Sequence, residues 1–229
     1  MRKYKVILFD IDDTLLDFDK AETNAIIDSL NHFDIEYDDS KIKLYKDINL
    51  KYWKEFEKGK TTIPELMVNR FQEFLMIVKK DLVRNAKEFN SYYLDRLNYG
   101  HDIIKDADIV IKKLINKYLV YPASNGIGPT QINRVESSAL KGLFTKYYVS
   151  GFIGYQKPQK EFFDYIFNDL KNIKKEEFLM VGDSLTSDIK GGINAGIDTC
   201  WFNYRSKENK DVKPTYTITE LKELLEILK

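Results

Sequence analysis

Residues 4–15 read YKVILFDIDDTL, in which a short apolar run leads directly into three aspartates. Apolar side chains occupy nearly every position of the run instead of alternate positions, and several of them favour β-structure. Continuous apolar runs are typical of strands that are buried on both faces, as in a parallel sheet. We therefore expect a buried strand with acidic side chains at its carboxyl end.

Similar short apolar runs occur in four further segments, 118–124, 147–150, 178–182 and 199–202. Helical patterns lie between or after these runs, at 106–117, 129–141, 160–171, 187–195 and 219–228. Alternating strands and helices predict a parallel sheet that is covered on both faces. Because crossovers between parallel strands are right-handed, the predicted fold is a doubly wound α/β domain. Pro122 cannot donate to a strand ladder, so it predicts an edge or a bulge in the second run.

Residues 16–100 break this alternation, because they carry long amphipathic patterns and no convincing strand. Helices are expected at 20–33, 40–57, 64–79 and 82–97. Residues 62–65 read TIPE, which is a capping-box pattern with proline in the first turn. The chain is therefore predicted to form an α/β core from residues 1–15 and 101–229, with an all-helical domain inserted at 16–100.

Composition excludes several classes of partner. The 36 Lys and Arg residues balance 36 Asp and Glu residues, so no global charge favours a nucleic acid polymer or an anionic membrane. No apolar stretch approaches the roughly 20 residues that span a bilayer, and the one cysteine cannot form an internal disulfide. These features predict a cytoplasmic protein without a signal peptide, and the lysine-rich segment 205–213 is interpreted as a solvated loop.

Three carboxylates, Asp10, Asp12 and Asp13, are crowded at the end of the first predicted strand. Carboxylates this close repel one another unless a cation or hydrogen bonds hold them. A hard divalent ion such as Mg²⁺ prefers these oxygen ligands. A solvated acidic turn explains the segment equally well when it is considered alone.

Further polar residues follow other predicted strands. Asp183 and Asp188 come after the run at 178–182, Ser124 and Asn125 end the run at 118–124, and Lys157 lies in a later loop. The carboxyl ends of parallel strands meet at one edge of a sheet, where ligands bind. We therefore expect these groups to gather around one site. Several of these residues also have an interpretation without function. Lys157 could be a surface lysine, Ser124 a turn residue and Asp188 a helix cap.

Taken together, the segments 10–14, 124–125, 157–158 and 182–188 resemble, in order, the four motifs of the haloacid dehalogenase superfamily. The resemblance covers essentially the whole chain. It implies a Rossmann-like core with a helical cap of the C1 type inserted after the first motif.

This resemblance implies that Asp10 is the nucleophile that forms an aspartyl-phosphate, and that Asp12 is the general acid and base. It also implies that Mg²⁺ is bound by the carboxylates of Asp10 and Asp183 and by the backbone carbonyl of Asp12. Superfamily dehalogenases lack a carboxylate two residues after the nucleophile, because a halide leaves without a proton. The presence of Asp12 therefore favours phosphoryl transfer.

The remaining motif residues are implied to bind the transferred group. Ser124, Asn125 and Lys157 would hold the phosphoryl oxygens, and Asp188 would orient Lys157 or the metal. The loop 150–154 departs from the superfamily pattern because it lacks the acidic residues expected there. The surroundings of Lys157 are therefore expected to differ from those in relatives.

Two stretches, 8–18 and 181–203, resemble the pyrimidine 5′-nucleotidase branch of the superfamily. This branch implies a phosphoric monoester hydrolase, monomeric or dimeric, that acts on a small phosphorylated metabolite, namely a nucleoside monophosphate. Asp13 stands where most of the superfamily has glycine, and Phe18 would either stack on a base or pack at the hinge of the cap. Alternatives are a sugar-phosphate phosphatase, a phosphomutase and a non-enzymatic binding module.

Overall fold

The computed structural model describes residues 4–209 and 211–229, and the chain folds into two compact units. One unit runs up to Asp17 and resumes at His101–Lys229, and the other is Phe18–Gly100. Leu16 forms an antiparallel bridge with Ile103, and the Asp17 N–H donates to the Asp102 carbonyl at 2.9 Å. Both chain ends of the inserted unit therefore leave the core side by side. No helix in the described part of the chain is long and apolar enough to cross a membrane.

The inserted unit consists of four α-helices and one 3₁₀ turn over the residues described. The helices are α1 (Phe18–His32), α2 (Asp39–Glu57), α3 (Ile63–Val78) and α4 (Ala86–Leu97), and the turn is Lys80–Asn85. The predicted capping box at the start of α3 is confirmed, since Thr62 and Glu65 exchange side-chain and backbone hydrogen bonds. Stacked aromatic rings fill the centre of the unit, including Tyr45 and Phe71 with centroids 5.3 Å apart.

The core unit is built on a six-stranded sheet in which all neighbouring strands are parallel. The strands are β1 (Val6–Phe9), β2 (Leu119–Ser124), β3 (Tyr148–Val149), β4 (Phe178–Gly182), β5 (Asp198–Phe202) and β6 (Tyr216–Ile218). Their order is β3-β2-β1-β4-β5-β6, so the winding direction reverses at β1. This topology confirms the predicted doubly wound α/β fold and creates a crevice at the carboxyl ends of the central strands.

Six helices accompany this sheet in the described chain: α5 (Ala107–Leu114), α6 (Gly128–Glu136), α7 (Ser150–Ile153), α8 (Lys160–Asp169), α9 (Lys190–Ala195) and α10 (Leu224–Ile227). Alternate residues of β1 point to opposite faces of the sheet. Ile7 and Phe9 join the apolar cluster that includes α5 and α10, whereas Val6 and Leu8 join the cluster that includes α8. Both faces are buried, which explains why the strand is apolar at every position.

The carboxyl-terminal region differs from the sequence prediction. The short strand β6 was not predicted, because three residues at the edge of a sheet show no periodicity. The helix expected at 219–228 is a 3₁₀ turn, Leu221–Glu223, followed by the single turn α10. The helix expected at 187–195 begins instead with a π-helical turn at Leu185–Ile189.

The expectation that Pro122 marks an edge or a bulge holds only as a local edge, because β2 shows no bulge at Pro122 but pairs with β1 alone at this residue. Pro122 lies in regular register opposite Phe9 of β1, and β3 pairs with the end of β2 on its other side. The Leu119 N–H donates to the Lys5 carbonyl on the β1 side, so alternation turns the nitrogen of Pro122 away from β1. On that side β3 pairs only with Ala123 and Ser124, so no ladder hydrogen bond is lost at the proline.

A buried polar network lies inside the helical unit. The Asn49 amide donates to Glu22 at 2.6 Å, and the Arg70 guanidinium donates to Asn49 at 2.7 Å and to Asn90 at 3.0 Å. Glu22 is 6% exposed, and this burial raises the pKa of its carboxyl from the ordinary 4.5 to about 7, against the opposing hydrogen bond from Asn49. The helical unit therefore contains a carboxyl group that titrates near neutral pH.

Glu22 should make the stability of the protein depend on pH. Between about pH 4.5 and pH 7 the folded chain keeps the Glu22 proton that the unfolded chain has lost. The free energy of unfolding should therefore fall as the pH rises through this window, by roughly 3 kcal/mol. Urea unfolding at pH 5 and pH 7.5, followed by tryptophan fluorescence to which Trp53 of α2 contributes, should show a fall that is larger in the wild type than in Glu22→Gln by about this amount, because other buried carboxylates such as Asp183 contribute the same loss to both proteins.

Glu36→Gln, which replaces an exposed glutamate of the same unit, is the matched control and should keep the wild-type pH profile. Parallel pH profiles for Glu22→Gln and the wild type would contradict the assignment.

Candidate active site

The residues that the sequence singled out follow three adjacent strands at the crevice. Asp10 comes directly after β1, Ser124 ends β2 and Asp183 comes directly after β4. The Asp10 N–H donates to the Val181 carbonyl at 2.9 Å, and the Asp183 N–H donates to the Thr14 hydroxyl at 3.1 Å. The parallel register therefore brings the ends of these segments together.

The loop after β1 is a tight turn held by its own backbone. The N–H groups of Leu15 and Leu16 both donate to the Ile11 carbonyl at 2.9 Å, and the Asp13 N–H donates to the Leu16 carbonyl at 2.8 Å. Asp13 has φ of 59°, in the left-handed region that favours glycine and that aspartate tolerates better than most residues. Aspartate can therefore occupy a position whose backbone conformation would otherwise favour glycine.

Lys157 is a buried charge of the site, with a side chain that is 1% exposed. Its ammonium group donates to Asp10 at 2.7 Å, to Asp188 at 2.6 Å and to the Ala123 carbonyl at 2.5 Å. Burial alone would lower the pKa of Lys157, but the two carboxylates outweigh burial and raise it above its ordinary value. The lysine is therefore a fixed positive charge and not a surface lysine.

Asp10, Asp183 and Asp188 each place a carboxylate oxygen within 4.8 Å of the other two. Burial raises the pKa of Asp10, against the opposing charge of Lys157, and raises the pKa of Asp183 to about 7, against the opposing charge of Lys207. A cluster of buried carboxylates that exceeds the nearby positive charge is a donor set that suits a hard divalent cation such as Mg²⁺. The Asp12 side chain is not part of this cluster.

Asp188 approaches the cluster from the π-helical turn Leu185–Ile189, an irregularity that is frequent at functional sites. Its second oxygen accepts from the Ser184 N–H at 3.0 Å. A Cβ atom on Gly182 would lie 2.2 Å from Asp188 Oδ2, so only glycine at this position allows the carboxylate to approach. The Gly-Asp pair at the end of β4 thus fixes the position of Asp188 as well as that of Asp183.

The Asn125 side chain positions the loop that carries Lys157. Its amide donates to the Lys157 carbonyl at 2.8 Å, and its carbonyl oxygen accepts from the Lys157 N–H at 2.8 Å. The same amide group lies 3.3 Å from the Ser187 hydroxyl. In this structure, therefore, the Asn125 side chain contacts protein groups that orient Lys157, and its phosphate-binding role stays a prediction.

Further residues that the sequence did not single out also contact site carboxylates. Gln131 and Arg134, both on α6, donate to Asp12 at 2.7 Å and 2.5 Å. The two residues are three positions apart on the helix that follows Ser124, so they lie on one face of that helix. This spacing could have identified them as candidate site residues. Arg205 donates to Asp13 at 2.9 Å and Lys207 donates to Asp183 at 2.7 Å. These two come from the segment interpreted as a solvated loop, so that interpretation was incomplete.

Comparison with known proteins relates the chain to one family. The profile of the haloacid dehalogenase-like hydrolase family matches residues 4–196. A Bacillus subtilis protein named YfnB and described as a HAD-hydrolase is 38% identical over 229 residues, which cover 100% of this chain and 97% of that protein. The crystal structure of YfnB bound to magnesium matches with a TM-score of 0.92 and covers 100% of both chains.

Two further relatives have a named activity. The pyrimidine 5′-nucleotidase PynA of Streptococcus pneumoniae is 36% identical, with 98% of this chain and 95% of the relative covered. The pyrimidine 5′-nucleotidase YjjG of Escherichia coli is 27% identical, with 99% and 98% covered. The match of the family profile to most of the chain, together with full-length relatives, confirms what the motifs predicted: the chain belongs to the haloacid dehalogenase-like hydrolase family.

Proposed function

We propose that this protein is a Mg²⁺-dependent phosphatase that hydrolyses small phosphomonoesters, with pyrimidine nucleoside 5′-monophosphates as preferred substrates. The observation that carries the proposal is the pairing of Asp10 with a buried ammonium at 2.7 Å, while a second carboxylate, Asp12, lies two residues away in the same tight loop. The names of PynA and YjjG support the choice of substrate.

In the first half of the reaction, a carboxylate oxygen of Asp10 attacks phosphorus and the bond to the leaving oxygen breaks. Asp12 gives its proton to that oxygen, so an alcohol departs and an aspartyl-phosphate remains on Asp10. In the second half, Asp12 takes a proton from water. The resulting hydroxide attacks phosphorus, which releases inorganic phosphate and restores the Asp10 carboxylate.

The charges of the site support these steps. Mg²⁺ would be held by the carboxylates of Asp10 and Asp183 and by the backbone carbonyl of Asp12, and when bound it offsets the repulsion between anionic phosphate and anionic nucleophile. Lys157 neutralises Asp10 in the absence of substrate and can share its charge with phosphoryl oxygens during attack. The Ser124 hydroxyl at the end of β2 would donate to another phosphoryl oxygen.

We also propose that residues 16–100 act as the cap domain that sets substrate choice, with residues 1–15 and 101–229 as the catalytic core. The crystal structure of the relative YfnB is described as revealing interdomain movement, which supports a cap that moves during turnover. We propose a cytoplasmic location, for which the free and buried Cys200 is consistent with a reducing compartment.

Removing the nucleophile should abolish turnover. Asp10→Asn keeps the shape of the side chain but cannot form the aspartyl-phosphate, so the kcat for p-nitrophenyl phosphate should fall by at least about 10³-fold. Asp164→Asn, at an ion-paired aspartate on the surface of α8, is the matched control and should keep wild-type kcat. An Asp10→Asn variant with wild-type kcat would refute the mechanism.

Removing divalent metal should abolish activity reversibly. Dialysis against EDTA should reduce phosphate release to background, and added Mg²⁺ should restore it. Isothermal titration calorimetry should show one Mg²⁺ bound to the wild type and weaker binding to Asp183→Asn, because that variant loses one anionic ligand. Full activity in EDTA, or equal Mg²⁺ affinity in the variant, would contradict the metal assignment.

Substrate choice should separate the nucleotidase from related activities. Values of kcat/KM for UMP, dUMP, AMP, GMP, glucose 6-phosphate and glyceraldehyde 3-phosphate should be highest for the pyrimidine nucleotides. If kcat/KM is highest for a sugar phosphate, the protein would instead be a sugar-phosphate phosphatase. Isomerisation of a sugar phosphate without release of phosphate would identify a phosphomutase.

A further inference from the structure

Both oxygens of the Asp12 carboxylate are contacted by donors from helix α6. Arg134 Nη1 donates to Oδ1 at 2.5 Å, and Gln131 Nε2 donates to Oδ2 at 2.7 Å. The Arg134 side chain is fully buried and Gln131 is 3% exposed, whereas the Asp12 side chain is 26% exposed. Two buried donors from one rigid element therefore fix the plane of a carboxylate that remains open to solvent.

Gln131 uses its whole amide group in this arrangement. One N–H donates to Asp12 and the other to the Ser124 hydroxyl oxygen, also at 2.7 Å, while the carbonyl oxygen accepts from Arg134 at 3.1 Å. The amide cannot be turned over, because its oxygen would then face the Asp12 carboxylate and its NH₂ group would face a guanidinium that only donates. The neighbouring groups thus determine the orientation of Gln131.

This orientation also determines what Ser124 can do. A hydroxyl has one hydrogen to donate, and Gln131 already satisfies its oxygen as an acceptor. The Ser124 hydrogen is therefore available for another acceptor, such as an anionic phosphoryl oxygen. Gln131 thus links Ser124, which is expected to bind phosphate, with Asp12, which is expected to transfer protons.

The burial of Arg134 indicates that this arrangement serves the reaction. Burying a guanidinium costs free energy that a single ion pair does not reliably recover, and apolar residues of similar volume often stabilise a core equally well. Helix α6 could have placed an apolar side chain at this position, as it does at Val135. The carboxylate that Arg134 contacts lies within the loop that also carries Asp10.

We infer that Gln131 and Arg134 are positioning residues for the reaction: together they hold the Asp12 carboxylate in its working orientation, and Gln131 keeps the Ser124 hydroxyl as a donor to the phosphoryl group. This inference rests on the proposed phosphatase function. Neither residue has to touch the substrate.

The test uses the full chain with Mg²⁺ and p-nitrophenyl phosphate in a stopped-flow instrument. Its p-nitrophenolate leaves without being protonated, so attack by Asp10 does not need Asp12, whereas hydrolysis of the aspartyl-phosphate does. In Gln131→Glu and Arg134→Met, we expect a burst approaching one p-nitrophenolate per enzyme, followed by a steady-state rate about 10²-fold below wild type. Asn133→Ala, at an exposed position of the same helix, should behave as wild type.

The two variants should differ in kcat/KM for p-nitrophenyl phosphate. In Gln131→Glu the new carboxylate would accept the Ser124 hydrogen, so kcat/KM should fall about tenfold, as expected for the loss of one hydrogen bond to a charged group. In Arg134→Met the Ser124 contact is kept, and slow hydrolysis of the aspartyl-phosphate lowers kcat and KM together, so kcat/KM should stay near the wild-type value. For UMP, whose alkoxide needs a proton to leave, both variants should lose kcat without any burst phase.

Wild-type burst and steady-state kinetics in both variants would overturn the inference. So would an equal slowing of both phases with p-nitrophenyl phosphate, because that result indicates general damage to the site. If urea unfolding shows that Arg134→Met does not fold, Gln131→Glu decides by the same criteria, since it is isosteric. Absence of phosphate release by the wild type would instead refute the proposed function itself.

Discussion

The site depends on a single buried ammonium group. Lys157 lies between Asp10 and Asp188 and also donates to the Ala123 carbonyl at the end of β2. Without this charge, two buried carboxylates would face each other in a medium of low dielectric constant, and one would have to take up a proton. The lysine thus favours the ionised form of Asp10, against the burial that raises the pKa of this carboxyl, and it ties the loop after α7 to the central strands β1 and β2.

Several backbone features serve this arrangement. Gly182 leaves room for the Asp188 carboxylate, and the π-helical turn after β4 turns that carboxylate toward the lysine. Asn125 binds both the N–H and the carbonyl of Lys157, so the lysine is fixed at its backbone as well as at its charged end. Such rigid support is what a site needs if its reacting groups are to be held in place before the substrate arrives.

The sequence predicted the sheet and the main acidic groups because both leave local signals. Each strand that leads to a site residue is a short apolar run, and Asp10 and Asp183 directly follow two of them. The contacts of Gln131 and Arg134 could not be predicted in this way, because a polar residue on a helix does not reveal which distant group it faces. Lys207 was missed for the opposite reason: a lysine-rich loop usually contacts only water.

The bridge between Leu16 and Ile103 has a consequence for how this architecture can change. The two connections to the helical unit are paired with each other on the core. The core alone therefore sets the distance between the first and last residues of an insertion. A helical unit of different length or sequence could be exchanged at this point without altering the strand register. Under the proposed division into cap and catalytic core, substrate preference could thus change by recombination at one junction while the groups of the core stay unaltered.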